Sequence, residues 1–387
     1  MRATFPVGSV TDTASRGRVY FFDSRLRRCR YHPRRVDTIT HGIAGSVLSR
    51  AASDRARQSS ALIVGSVAAM FPDADFFFLS GRLDYLANHR GWSHSFVYMP
   101  LFALGFALLS RLVFRKTPLA ALCLFAAVGI TSHILFDWIT SFGTMFFVPF
   151  SRHRYSLDWI FIIDPYFTGI VFAGLVGSLL RRSRALRVSR VCAALLGLYI
   201  AFCAVMHHRA LRIWRGLDQP PPGATVAVLP QFLSPFRWLG LSSENGEVHA
   251  AFFDVGPFAR GIEDPQPPKR FSELLRSLSD FYPPPARARI RTFRQAPGSA
   301  LLDAVRALPD VQIYLAFARF PLVTVLPDKD GGAAITWEDL RFLPWFAGPW
   351  KTDRQEGLRR EPFVYQVRVD PAGRPIERAF VTRSGRR

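Results

Sequence analysis

Lysine is nearly missing from this chain: four of its 50 basic residues are lysine, and arginine supplies the rest. Acidic residues are also few, 29 against 50 basic, leaving a formal net charge of +21. A charge of that size ordinarily prompts a nucleic-acid reading. Here the arginines fall in separate segments that flank apolar runs, which is the ordinary pattern of a membrane protein, so no nucleic-acid partner is expected. Cysteine is scarce as well. Cys29, Cys123, Cys192 and Cys203 show no CxxC spacing, and three of them lie in apolar runs, so no disulfide framework can be read. Residues 1–35 lack an apolar stretch, which excludes a signal peptide there. Internal repeats and long low-complexity tracts are absent.

What is present is apolar. Hydrophobic residues make up 49% of the 387, and the mean hydropathy is +0.12. That average fits a chain that is half membrane-embedded and half soluble. The basic, Arg- and Ser-rich segment 1–36 reads as a disordered extension, or as untranslated if Val36 is the true start. Six apolar stretches follow: "ITHGIAGSVLSRA", "SALIVGSVAAMFPDADFFFL", "FVYMPLFALGFALLSRLVF", "LAALCLFAAVGITSHILFDWIT", "IFIIDPYFTGIVFAGLVGSLL" and "RVCAALLGLYIAFCAVM". Several approach the ~20 residues that cross a bilayer. After His208 the pattern changes. β-like runs appear ("ATVAVL", "VHAAFFDV", "VQIYLAFARF", "LVTVLP", "FVYQVRVD"), with "DKDGG" and "DPAGR" as turns. The expected architecture is an α-helical multi-pass membrane bundle of about five to six helices over 37–208, a linker at 209–222 around "DQPPPG", and a β-rich soluble domain over 223–387.

Ionisable residues inside apolar helices are costly, so each demands a reason. Threading the helices in alternating directions brings His41, Asp73, Asp75, His89, His94, His133, Asp137 and Asp164 to one end of the bundle. His133 and Asp137 are four apart and share a helix face, so both can address one ion. Imidazole with carboxylate suits zinc, and also manganese or iron; the set is large enough for two ions that activate a water. Arg90, Arg152 and Arg154 on the same rim offer a grip for a phosphate or carboxylate, or contacts to lipid headgroups. His41 could equally cap a helix, "PDAD" could be a plain helix break, and Asp164 could be a helix cap.

In order along the chain, "DTITH", "PDAD", "NHRGWSHS", "SHILFDWITSFGT", "PFSRHRYSLDW" and "IIDP" resemble the YdjM-like family of inner-membrane, metal-dependent hydrolases, over roughly Asp37 to Leu180. The order of the motifs is more distantly similar to zinc-dependent phospholipase C and the P1-type nucleases. The resemblance implies His41, Asp73, His94, His133 and Asp137 as metal ligands, with His89, Asp75 and Asp164 matching the nearer family. It also implies a hydrolase at a bacterial inner membrane, and the expected reaction is hydrolysis of an ester or phosphoester of a lipid or envelope molecule through metal-activated water. Asp75 or Asp164 would serve as general base, and Arg90, Arg152 or Arg154 would steady the anion. The rival expectation is a non-enzymatic metal-binding scaffold or transporter with a partner-binding β domain. Arginine-rich loops on the far side of the threading orient the metal end and the β domain away from the cytoplasm.

Overall fold

The computed structural model describes residues 36–259, 281–328, 330–343 and 363–381; the extension expected at 1–35 and Cys29 lie outside the described residues. Seven helices come first: α1 (Val36–Ala51), α2 (Gln58–Met70), α3 (Arg82–Asn88), α4 (Met99–Arg111), α5 (Leu119–Trp138), α6 (Pro165–Leu180) and α7 (Ala185–Asp218). Two of the described helices, α5 and α7 with the turn before it, are long and apolar enough to cross a membrane. The number rises to four if the bent pairs, α2 with the turn after it and α3 with α4, each count as one span. The expected multi-pass bundle of about five to six helices thus takes the form of a helical region with two to four candidate membrane-length spans among the described residues. At 1.5 Å per residue, the 13 residues of α2 or α4 reach about 20 Å, short of a ~30 Å hydrocarbon core. Pro72 is one cause of the shortfall. Lacking an N–H, it closes α2, and a 3-10 helix (Pro72–Phe78) continues at a bend of 42°.

One junction fixes how the bundle closes. A Cβ on Gly45 of α1 would lie 2.3 Å from Ala69 Cβ and 2.5 Å from the Gly65 carbonyl, both in α2. A Cβ on Gly129 of α5 would lie 2.5 Å from that same Gly65 oxygen. Three backbones therefore meet where only hydrogen fits, as in small-residue contacts between membrane helices. The register this sets is functional, because His41 lies one turn from Gly45, Asp73 one turn beyond Ala69, and His133 one turn beyond Gly129. The opposite ends converge too: Arg50 donates to Ser178 Oγ at 2.7 Å, and Arg190 to the Ala51 carbonyl at 3.2 Å.

α7 has 34 residues, about 51 Å, and so outruns the bundle. Residues 209–218, expected as linker, are its last turns; the helix ends at Gln219 in a left-handed cap (φ 49°) just before the proline run. Asp218 ties it to the first sheet by accepting from Ser242 Oγ and from His249 Nδ1. Trp214 is fully buried against Gly240, where a Cβ would meet the indole at 2.4 Å. The C-terminal part holds two four-stranded antiparallel sheets in sequential order: β1 (Thr225–Gln231), β2 (Ser234–Glu244), β3 (Glu247–Asp254) and β4 (Arg291–Arg294), then β5 (Pro321–Pro327), β6 (Ala333–Asp339), β7 (Val364–Val369) and β8 (Pro375–Phe380). Between the sheets lie α8 (Ala300–Arg306) and α9 (Pro309–Phe317). "VQIYLAFARF", expected as a strand, is mostly α9. Pro309 sits in its first turn, and Val311, Tyr314 and Phe317 bury one face at spacings of three, a period that a short apolar run hides.

α9 packs against α3, so Leu86 of α3 and Phe142 share an apolar cluster with Val311, Tyr314, Phe317 and Trp337. Arg341 deepens this contact. It pairs with Asp339 at 2.7 Å and donates to the carbonyls of Ser141 at 3.0 Å and Phe317 at 2.7 Å. Arg319 pairs with Asp158 at 2.6 Å. The sheets thus sit over the bundle end that carries the histidines.

Candidate metal centre

Asp73, His94, His133 and Asp137 each present one ligand atom, and these atoms all lie within 4.8 Å of one another. Asp73 comes from the 3-10 helix, His94 from the turn after α3, and His133 and Asp137 from successive turns of α5. All four are buried, the two histidines completely. His94 Nε2 lies 3.1 Å from His133 Nε2 and 3.0 Å from Asp137 Oδ2. His133 Nε2 lies 3.4 Å from Asp73 Oδ1 and 3.5 Å from Asp137 Oδ2. Ligand atoms about 2 Å from a tetrahedral ion stand about 3.3 Å apart, so the spacing fits.

The partners of the two rings decide their tautomers. His133 Nδ1 lies 2.7 Å from the Ala69 carbonyl, which can only accept, so Nδ1 carries a proton and Nε2 is the nitrogen turned to the group. Ser93 Oγ donates to Asp75, 3.3 Å away, and so accepts from His94 Nδ1 at 2.9 Å. Both Nε2 atoms therefore face one point together with two carboxylates, a donor set able to hold a metal ion, and imidazoles oriented through their other nitrogen are the usual surroundings of a metal. Asp137 adds to this. Neither of its oxygens makes a well-formed hydrogen bond, although Arg90 Nε is 2.8 Å away, because the approach is poorly aligned.

His41 stands at the edge of the group. Its ring stacks on His133 with centroids 3.9 Å apart, and its Nε2 is 3.4 Å from Asp137 Oδ1. Asp75 is separate, accepting from His89 Nδ1 at 2.9 Å, the Arg90 backbone N–H at 3.1 Å and Ser93 Oγ. These donors explain the crowding of "NHRGWSHS": Asp75 pins the loop that delivers His94. His89 thus meets Asp75 rather than the four-residue group. Asp164 Oδ1 caps α6 by accepting from Phe167 N at 2.8 Å, and Oδ2 accepts from Tyr199 at 2.8 Å. Thr38, unremarked in the sequence except within its motif, donates to Asp73 Oδ2 at 2.7 Å.

The arginines hold structure together. Arg90 pairs with Asp137 and donates to Thr140 Oγ1 at 3.0 Å. Arg152 is exposed and donates to Asn88 Oδ1 at 2.6 Å. Arg154 donates to three carbonyls, of Gly143, Leu86 and His89. Burial, followed by the neighbouring Arg341, Arg90 and Arg152, pushes the Arg154 guanidinium down to about 9, which still leaves it charged at neutral pH.

A cleft of about 440 Å³, open mouth included, begins at His41. Thr40, Thr140 and Asp164 line it with His41, and its walls include Phe136, Ile139, Ile163 and Phe167.

Comparison with known proteins agrees with the reading of the first half. Residues 36–210, a little under half of the chain, match the family described as YdjM inner membrane protein. The uncharacterized protein YfhP of Bacillus subtilis (strain 168) is 26% identical over 139 residues, which cover 34% of this chain and 42% of that relative. The match thus spans less than half of the relative's length. No solved structure matches the chain. The family match and the apolar helices point to a membrane protein, and its buried Asp/His group has the donors and spacing to hold a metal ion.

Proposed function

We propose that this protein is a membrane-bound, metal-dependent hydrolase acting on an ester or phosphoester of a lipid or envelope molecule. The observation that carries the reading is the pair of Nε2 atoms converging at 3.1 Å beside two carboxylates. A proton or a divalent ion between them would each make that approach favourable, and two carboxylates beside two imidazoles are a donor set that suits the ion. Asp73, His94, His133 and Asp137 hold the ion, with His41 at its edge. Zinc suits the donors, and manganese or iron are the alternatives. When bound, the ion would supply an activated water and polarise the bond to be cleaved.

The chain's own residues supply the rest. Arg90 offsets the charge of Asp137 and keeps its carboxylate aimed inward. Asp75 orients His94 through Ser93 and does not line the cleft, so it acts by positioning. Of the two carboxylates offered as general base, Asp164 is the one that lines the cleft beside His41. A second reading, a structural metal in a scaffold, draws support from the near-complete burial of the four ligands.

The test is metal analysis of the detergent-purified full chain beside a panel of generic phosphoesters. Near-stoichiometric metal, lost in His133→Ala, with hydrolysis that a chelator abolishes, is expected. Protein that binds no added zinc, manganese or iron would sink both readings; metal without hydrolysis of any ester would leave the scaffold.

A further inference from the structure

The cleft beside His41 names the substrate class more closely, resting on the hydrolase reading. We infer that it takes an acyl chain of a membrane lipid, which enters sideways from the bilayer and brings its ester or phosphate group to His41. Three independent features of the molecule point this way.

The first is the arrangement of the cleft. Its polar groups, Thr40, His41 and Asp164, share one space with apolar walls. His41 Nε2 stands 3.4 Å from a carboxylate oxygen of the metal group, so a headgroup at His41 lies beside the ion.

The second is the surface around the mouth. Ile39, Ile162 and Tyr166, beside or among the lining residues in sequence, are 56%, 41% and 52% exposed. Exposed side chains of this kind grouped at one opening mark contact with an apolar medium, and a tyrosine among them suits the headgroup level of a bilayer.

The third is what covers the other approach. The C-terminal part closes over loop 140–143, with Phe142 in its apolar cluster, Arg341 on the Ser141 carbonyl and Arg319 on Asp158. On the other side, the cleft between α1, α6 and residues 160–164 reaches His41.

The experiment places the full chain in phosphatidylethanolamine–phosphatidylglycerol vesicles doped with a phospholipid carrying a photoreactive diazirine at the end of its acyl chain. After irradiation, adducts are mapped by peptide mass spectrometry. Adducts should concentrate on Phe136, Ile139 and residues 160–168, above the density on Leu108, Leu109 and Leu112 at the exposed surface of α4 and its end. Filling the cleft from either wall, by Thr168→Phe or Ile163→Trp, should cut the cleft adducts about tenfold and leave the α4 adducts unchanged. Cleft adducts no denser than those on α4, or insensitive to both fillings, would overturn the inference. Metal content measured on the same samples keeps the two ideas apart: a labelled cleft in protein that binds no metal counts against the hydrolase reading alone.

Discussion

The two ends of the helical bundle use arginine in opposite ways. At the end away from the histidines, Arg55, Arg111, Arg115, Arg181, Arg182, Arg184, Arg187 and Arg190 are exposed, and the Arg57–Asp54 pair at 3.0 Å lies on the surface. Such groups stay solvated, and a pair of that kind contributes little. At the histidine end Arg90 is 2% exposed and faces Asp137, which is 1% exposed. There a charge has been taken out of water and is tolerated only because its partner is in place. Arg50 marks the boundary: it lies on the far side yet is buried, and it donates to a neutral hydroxyl, Ser178, rather than to a carboxylate. Position along one helix axis therefore decides whether an arginine is an anchor or part of a site.

The comparison breaks most sharply at Asp137. Asp137→Ala would strand Arg90 without its carboxylate and should destabilise the protein by ~3–5 kcal/mol and remove the metal. Arg57→Ala at the other end should change stability by less than ~0.5 kcal/mol. Thermal unfolding in detergent and metal analysis read both. Pairing Arg90→Met with Asp137→Leu should recover much of the stability and none of the metal, separating the structural loss from the ligand loss. Full metal content in that double variant would remove Asp137 from the ligand set.

The next effect concerns the junction beneath the site. Gly129→Ala places a Cβ 2.5 Å from the Gly65 carbonyl and should cost ~1–3 kcal/mol, with weaker zinc binding because His133 sits one turn along. Gly105→Ala in α4 meets nothing within 4 Å and should be neutral or stabilising by up to ~1 kcal/mol. If the two variants bind zinc equally well, the junction does not set the ligand geometry.

Arg341→Met sharpens the comparison from outside the bundle. Its guanidinium holds loop 140–143, but Asp339 keeps backbone N–H donors from Arg319 and Arg341, so the expected loss is about 1–2 kcal/mol. Hydrogen exchange at residues 139–145 should rise, while exchange in α1 and α2 stays as it was. Unchanged exchange in the loop would mean the C-terminal part does not restrain the site.

How much of this was legible follows the range of the interactions. His133 with Asp137 is local, one turn of one helix, and the spacing in sequence exposes it. Asp73 and His94 were legible because buried ionisable residues demand partners and alternating helices bring them to one end. The role of Asp75 was not, since its three donors become visible only when the loop is folded around it. The Ala69 carbonyl that fixes the His133 tautomer has no sequence signal at all. Helix α9 reads as a strand in sequence because a short, mostly apolar run satisfies either period. The closing of the site by Arg341 and Arg319 depends on contacts across 160 to 200 residues of chain, beyond any local pattern.

The smallest effect on stability carries the largest consequence for placement. Substituting single exposed arginines of 181–190 should leave unfolding within ~0.5 kcal/mol, yet together they bias which side of the membrane that end occupies. Arg50 at Ser178 and Arg190 at the Ala51 carbonyl show that residues 50–60 and 178–190 lie at one end of the bundle. The histidine end carries fewer arginines in its loops, Arg82, Arg90, Arg152 and Arg154, and Arg90 is buried against Asp137. Because short loops rich in arginine stay cytoplasmic, the metal end should face away from the cytoplasm, together with the sheets that sit on it. Single cysteines at Ser80, Ser151 and Ser183 test this in intact cells, with Cys29, Cys123, Cys192 and Cys203 replaced. An impermeant thiol reagent should label the first two and spare the third. The reverse pattern would put the centre on the cytoplasmic side. The exposed arginines would then be no guide to orientation, and an envelope substrate would be excluded.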